Sequence, residues 1–373
     1  MNKLLRNAIA LAVVMAVMTC ITAQACTSAI VSARLTADGR PLLWKNRDTG
    51  EENNKVERIN AQQPGQYDYI ALYNASDTLC REAWMGMNTA GFAVMNTASY
   101  NLNRDTITDM DKEGLLMTKA LLTCRTVADF EQLLRSHPKP LRVEANFGVI
   151  DTEGGAAYFE TGNFTYVRYD VDDTAEGYIV RTNYSHSGDN TRGSGFTREN
   201  NALALMKPHA EARDFTPATF TEELSRTFFN SLLATDYTQS GKQWIVDQDF
   251  IPRRITSATC VIEGVISDEA TTSDIVMWVG LGYGPCSTIR MATFDEGGVP
   301  VEIRGSLPSG HAPLCDEAVA MKNEVFSLRK GNGKHYLNLS KLYNPEGTGF
   351  TQILIPRNMQ YYRAKRLELG ITR

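Results

Sequence analysis

Cys26-Thr27-Ser28-Ala29-Ile30-Val31, then Ala37-Asp38-Gly39-Arg40, then Pro41-Leu42-Leu43-Trp44-Lys45-Asn46-Arg47-Asp48: these residues decide how the chain is read. Two apolar, β-branched runs separated by Asp-Gly predict a hairpin. Its first strand starts at Cys26, and its second brings Lys45, Asn46, Arg47 and Asp48 back beside that start. A cysteine and an aspartate therefore meet at one end of a two-stranded ribbon. Taken alone, Asp48 reads equally well as a cap for the turn at Thr49-Gly50.

Upstream, residues 1–25 have the pattern of a signal peptide. Lys3 and Arg6 form a charged start, residues 8–18 are an eleven-residue apolar run, and Ala23-Gln24-Ala25 places small residues at a cleavage site. Eleven residues are too few to span a bilayer, and no later stretch reaches eighteen uninterrupted apolar residues. The expectation is a protein without a membrane span, secreted or in a bacterial periplasm, cleaved after Ala25. Cleavage there makes Cys26 the first residue, with a free α-amine and a thiol on one carbon skeleton. An α-amine has a pKa of about 7.7 to 8.0, so near neutrality a useful fraction accepts a proton. A thiol of pKa about 8.5 needs only a modest push to become the nucleophilic thiolate. Two other readings of Cys26 compete: a lipoprotein cysteine acylated after processing, for which Ala23 is a poor third residue upstream, and a cysteine that merely lies near a cleavage site.

Composition narrows the classes. The 373 residues are 43% hydrophobic and 22% charged, a globular make-up with a sizeable core and no room for disordered, collagenous or coiled-coil readings. The formal charge is −5 and falls to −7 once Lys3 and Arg6 are removed, a poor footprint for a nucleic-acid partner. Seven cysteines are too few for a disulfide scaffold in a chain of this length. Cys286 with Cys315 is a conceivable pair, which spacing alone does not establish.

Beyond the hairpin, three further stretches occur in a set order. They are Trp84-Met85-Gly86-Met87-Asn88-Thr89-Ala90-Gly91-Phe92, then Val180-Arg181-Thr182-Asn183-Tyr184, then Thr256-Ser257-Ala258-Thr259-Cys260-Val261-Ile262 followed by residues 278–287. Together with the processed Cys26-Thr27-Ser28 and with Lys45-Asn46-Arg47-Asp48, this order resembles the N-terminal-nucleophile hydrolases of linear amides. That superfamily holds the penicillin acyltransferase-like peptidases, to which the likeness is greatest, and the choloylglycine hydrolases and penicillin V acylases. The resemblance spans about residues 26–294. It implies an α+β fold, a four-layer αββα sandwich with two stacked antiparallel sheets. It also implies a secreted enzyme that cleaves a linear amide C–N bond through an acyl-enzyme on Cys26, with acyl transfer as a further outcome.

The same resemblance implies residue roles. Asn88 would donate to the oxyanion, Asn183 would orient the amine or donate as well, and Asp48 would orient the amine and stabilise its protonated form. Read singly, Asn88 before Thr89-Ala90-Gly91 is a turn residue and Asn183 a strand-end cap. Relatives on the bile-salt and penicillin V branch carry arginine where Lys45 stands, and the two side chains are not interchangeable. Lys45, Arg253 and Arg254 are the candidate substrate-binding residues. No cofactor is expected, and five scattered histidines show no metal-ligand spacing. The expected partner is a small-molecule amide or a short peptide. A homo-oligomer is compatible with the sequence, which does not set the oligomeric state.

Strands are predicted within residues 67–100, 145–150, 156–161, 165–169, 259–267 and 274–281, and helices at 111–124 and 198–207. Thr126 with Asp129 predicts a capping box opening another helix, stopped by His137-Pro138. Thr216-Pro217 predicts the start of a helix whose buried face is Phe220, Leu224, Phe228 and Leu232. A single domain from residue 26 onward is expected, with an extension after about residue 300 whose role is open. Gly280-Leu281-Gly282-Tyr283-Gly284 is followed by Pro285-Cys286 rather than a helix, so it is not read as a phosphate loop. His186 is the nearest partner for a rival Cys–His dyad. The alternative function is a non-catalytic surface lipoprotein, acylated at Cys26, that binds a small ligand; an acylated amine cannot act as a base.

Overall fold

The computed structural model describes residues 26–267, 274–295, 298–328 and 334–371. The expected signal peptide lies outside them. The hairpin read from residues 26–48 is present: β1 (Thr27–Val31) pairs antiparallel with β2 (Leu42–Asp48), Thr27 opposite Asn46 and Val31 opposite Leu42. Its connection is longer than a tight turn. Ser32 leaves the strand to bond Asp172 at 2.6 Å and to cap a 3-10 turn at Ala33–Leu35, before Gly39 with φ +76° reverses the chain.

Seven strands then form a meander in chain order. These are β3 (Asn54–Ile59), β4 (Tyr69–Asn74), β5 (Met85–Asn88), β6 (Ala93–Ala98), β7 (Ala145–Ile150), β8 (Ala156–Thr161) and β9 (Tyr166–Asp170), each antiparallel to the next. The helices α1 (Glu113–Thr123) and α2 (Val127–Ser136) leave and re-enter this sheet between β6 and β7. The capping box is made as read: Thr126 Oγ1 accepts from Asp129 N at 3.1 Å while the Asp129 carboxylate accepts from Thr126 N at 2.9 Å.

The second sheet is assembled from distant stretches. Its order is β10 (Tyr178–Arg181), β1, β2, β14 (Thr256–Glu263), β15 (Val276–Leu281) and β16 (Ile289–Ala292). Two small strand pairs stand apart: β11 (Phe229–Asn230) with β12 (Thr235–Asp236), and β13 (Trp244–Val246) with β17 (Tyr336–Asn338). Strand alternation sorts the core into layers. Ile30 and Leu43 join Met95, Ile262 and Met277 in the cluster that includes α1 and α2 side chains, whereas Ala29, Val31 and Trp44 pack with Met206, Phe220 and Tyr362 on the opposite face. That opposite face is covered by α3 (Phe196–Ala212) and α5 (Phe350–Glu368). The order is therefore helices, sheet, sheet, helices: an α+β four-layer sandwich with two stacked antiparallel sheets.

The residues after 300 contribute to these layers. α4 (Pro313–Val325) packs in a third cluster with Tyr283, Leu337 and Leu342. From α5, Tyr362 packs on Trp278 at 4.8 Å, and Arg366 pairs with the buried Glu263 of β14 and with Asp38. The predicted helix from Thr216 to Leu232 is the main departure. The chain forms a π turn at Thr219–Glu223 and a 3-10 turn at Leu224–Arg226, then leaves the helical path, and Leu232 is 80% exposed. Arg226 is the cause. Its buried guanidinium bonds the Thr221 and Ser287 carbonyls at 3.0 and 2.7 Å, which ends the helix and sends Phe228 into the third cluster. Cys286 and Cys315 are both free thiols, so the conceivable pair is not formed.

Candidate active site

The end of β2 presents opposite charges on opposite faces. Lys45 shares a face with Leu43, between the sheets, while Asp48 shares a face with Trp44 and Asn46, toward α3. Cys26, 4% exposed, lies just before β1, and its Sγ approaches the main-chain oxygen of Asp48 at 3.9 Å. The expected meeting of Cys26 with the end of β2 is what the fold provides.

Asp48 is wholly buried and held by three donors: Asn46 Nδ2 at 3.1 Å and Thr256 Oγ1 at 2.6 Å to Oδ1, and Arg253 Nε at 3.1 Å to Oδ2. Burial raises its pKa, and the charges of Arg253 and Arg198 oppose that shift. The register shift in β14 between Thr256 and Ala258 turns the Thr256 hydroxyl onto this carboxylate. Of the two arginines singled out, Arg253 reaches the cluster. Arg254 contributes its main-chain N–H to Asp247 at 2.9 Å, and its side chain makes no hydrogen bond to Asp48 or Cys26.

Lys45 crosses to the facing sheet and donates to Trp84 O at 2.9 Å and to Asn96 Oδ1 at 2.8 Å. It is 2% exposed, and its ammonium is directed between the two sheets. Burial pushes its pKa down to about 8; the Cys26 charge is the largest influence holding it up. Arg47, on the same face, bonds Asn54 and Asn74 and lies over the Trp84 ring at 4.9 Å. Burial lowers its pKa to about 10, and the Cys26 charge again opposes that shift. Two buried cations, Lys45 and Arg47, thus lie near the thiol.

Asn183 is fully buried beside this group. Its Oδ1 accepts from Arg198 Nη2 at 2.7 Å and its Nδ2 donates to Ala98 O at 2.8 Å. Arg198, from the first turn of α3, also donates to Cys26 O at 2.6 Å and Thr27 Oγ1 at 2.9 Å.

Asn88 is elsewhere. It shares a face of β5 with Gly86, where an added Cβ would press on Leu121 of α1, so it points away from the second sheet. Both its amide hydrogens go to the carbonyls of Leu121 and Cys124 at 2.8 Å, and its Oδ1 accepts from Ala90 N and Phe92 N. It closes the β5–β6 turn and ties down the end of α1, and has no hydrogen left for an oxyanion. The asparagine that the sheet brings to Lys45 is Asn96 on β6, which sequence reasoning missed. Its signal was an amide in an otherwise apolar strand interior, a place where asparagine is depleted. Arg198 was missed too, since a lone arginine at a helix start looks like a surface charge. His186 pairs with Glu199 at 2.8 Å and stacks on Tyr184 at 5.3 Å, and no hydrogen bond joins it to Cys26.

A buried cysteine at the first strand of an αββα sandwich, facing cations, a carboxylate and a buried amide, is the arrangement expected from the resemblance to the N-terminal-nucleophile hydrolases of linear amides. Residues 35–218, just under half of the chain, match the family model described as acyl-coenzyme A:6-aminopenicillanic acid acyl-transferase. The match takes in Asp48, Asn96, Asn183 and Arg198, and stops short of Cys26 and Arg253. Amide hydrolysis or acyl transfer is the general chemistry it supports.

No curated protein matches the sequence. Among solved structures, similarity is found to a Caenorhabditis elegans N-acylethanolamine-hydrolyzing acid amidase ortholog, with 15% identity and a TM-score of 0.43 over 65% of this chain and 94% of that one. Penicillin V acylase from Agrobacterium tumefaciens shows 11% identity and a TM-score of 0.42 over 72% of this chain and 86% of its own. A single-residue variant of conjugated bile acid hydrolase from Clostridium perfringens shows 10% identity and a TM-score of 0.41 over 72% of this chain and 92% of its own. Among the described residues no helix is long and apolar enough to cross a membrane.

Proposed function

We propose that the chain is a bacterial secreted or periplasmic cysteine hydrolase of linear amides, whose nucleophile is Cys26 after removal of residues 1–25. The observation that carries this reading is the convergence of Asp48, Arg253, Asn183 and Arg198 on Cys26 from four separate parts of the chain.

The α-amine of Cys26 takes the thiol proton, and the thiolate adds to the amide carbonyl carbon. Asn183, with Asn96 in place of the expected Asn88, donates to the oxyanion; such donors contribute about 10²–10³-fold to rate each. The ammonium returns its proton to the leaving nitrogen, the C–N bond breaks and a thioester to Cys26 remains. Water, deprotonated by the same amine, adds to the thioester, releasing the acid and regenerating the thiol. An amine entering instead of water makes the same site an acyltransferase, the outcome named in the matched family's description. The substrate class is an N-acyl amino compound, a conjugated amide or a short peptide.

Intact mass and N-terminal sequencing of the secreted protein test the reading, together with a screen of N-acyl amino acids, bile-acid conjugates, β-lactams and dipeptides. The mature chain is expected to start at an unblocked Cys26, and Cys26→Ala to be inactive. A lipid adduct at Cys26, or full activity in Cys26→Ala, overturns it.

A further inference from the structure

We infer that Arg198 is the positioning residue of this site, locking the Cys26 main chain and the Asn183 amide into one rigid unit and setting a fixed positive charge beside the thiol. The inference rests on Cys26 being the nucleophile. Arg198 is 2% exposed, and its fork serves two different chain segments at once: Nη1 donates to Cys26 O and Thr27 Oγ1, and Nη2 to Asn183 Oδ1. A planar guanidinium reaches the two segments from separate nitrogens in a fixed fork.

The contact also decides which end of the Asn183 amide faces which way. Turning the amide over would set Nδ2 against the guanidinium, donor against donor, and an oxygen against the Ala98 carbonyl. Arg198 therefore keeps the amide nitrogen on the side away from α3. Charges near the guanidinium are those of Arg253, Asp48, Cys26 and Asp249, so Cys26 and Asp48 share its field.

The backbone is shaped to this path. Gly195, the residue before α3, has φ +95°, and an added Cβ would collide with Arg198 Nη2 and come within 2.8 Å of Thr182 Oγ1. Glycine is needed there for both the conformation and the space, and the freed volume is where the guanidinium passes.

The test uses the processed full-length protein and its Arg198→Lys, Arg198→Gln and Gly195→Ala variants, with folding checked by circular dichroism. Arg198→Lys keeps the charge and loses the fork; kcat is expected to fall at least tenfold with KM within threefold. Arg198→Gln also loses the charge, and the pH midpoint for alkylation of Cys26 by iodoacetamide is expected to rise by at least half a unit. Gly195→Ala, which leaves the arginine in place but obstructs it, is expected to resemble Arg198→Lys in kcat and carries the test if Arg198→Gln does not fold. Wild-type kcat in a folded Arg198→Lys, or an unchanged alkylation midpoint in folded Arg198→Gln, overturns the inference. Alkylation needs no substrate, so its failure is distinct from failure to find an amide that the enzyme cleaves.

Discussion

Lys45 carries a charge that burial has brought close to neutrality in the working range. With its pKa pushed down to about 8 from 10.5, the folded protein binds fewer protons here than the unfolded chain between those values. The contribution of Lys45 to stability is thus unfavourable below about pH 8 and improves as pH climbs towards 10.5, while the positive charge facing Cys26 fades over the same interval. The alkaline limb of kcat/KM is expected near pH 8, and Lys45→Arg, which cannot lose its proton there, to move that limb upward; a superimposable profile in the variant would refute this. Two asparagines make the second comparison. Asn88→Ala removes two buried donors from the α1 carbonyls and is expected to cost about 2–4 kcal/mol in denaturant unfolding with kcat of the folded enzyme nearly intact. Asn183→Ala is expected to lower kcat about 10²-fold or more. Sequence could not tell these residues apart, because both precede turn-like segments, and only the sheet face on which each stands separates a turn clasp from a site amide.

Among the helices, α2 was legible and the segment after Thr216 was not, for a physical reason. The capping box and the face of Val127, Phe130, Leu133 and Leu134 are local, written within a single short helix, and Phe130 then meets Phe147 and Phe159 at 5.7 and 5.3 Å. Thr126→Ala is expected to destabilise the protein by about 1 kcal/mol without changing KM, read from urea midpoints. The Thr216 segment has equally good helical spacing, yet its course is set by Arg226 finding the Ser287 carbonyl 61 residues away, a partner no local pattern reveals. The hairpin from Cys26 was readable from its Asp-Gly turn, and with it the placing of Cys26 against Asp48. Asn96 and Arg198 were not, since their significance lies in Lys45 and in the Cys26 main chain, which are near them only after the sheets stack.

For the molecule as a whole, the outer helix layer is held by a buried ion pair as much as by apolar packing. Arg366 of α5 pairs with Glu263, which also accepts from Trp278 Nε1 at 2.9 Å. Arg366→Ala leaves a carboxylate buried with one cation fewer and is expected to cost about 3–5 kcal/mol, measured by chemical denaturation; a loss under about 1 kcal/mol would show the pairing to be incidental. The layered architecture was legible from the alternation of strand and helix patterns and from the resemblance, whereas the part played by residues 350–368 was not, because their helix is anchored on Glu263, 103 positions earlier. The two sheets also differ in how the chain visits them. The seven-stranded meander is finished within residues 54–170, but the six-stranded sheet waits for β10 and then for β14 to flank β1 and β2. During synthesis Cys26 therefore emerges early and acquires its surroundings late. Arg198 arrives past the midpoint of the polypeptide and Arg253 after two thirds of it, so the cluster around Cys26 is incomplete until the later half of the chain has been made.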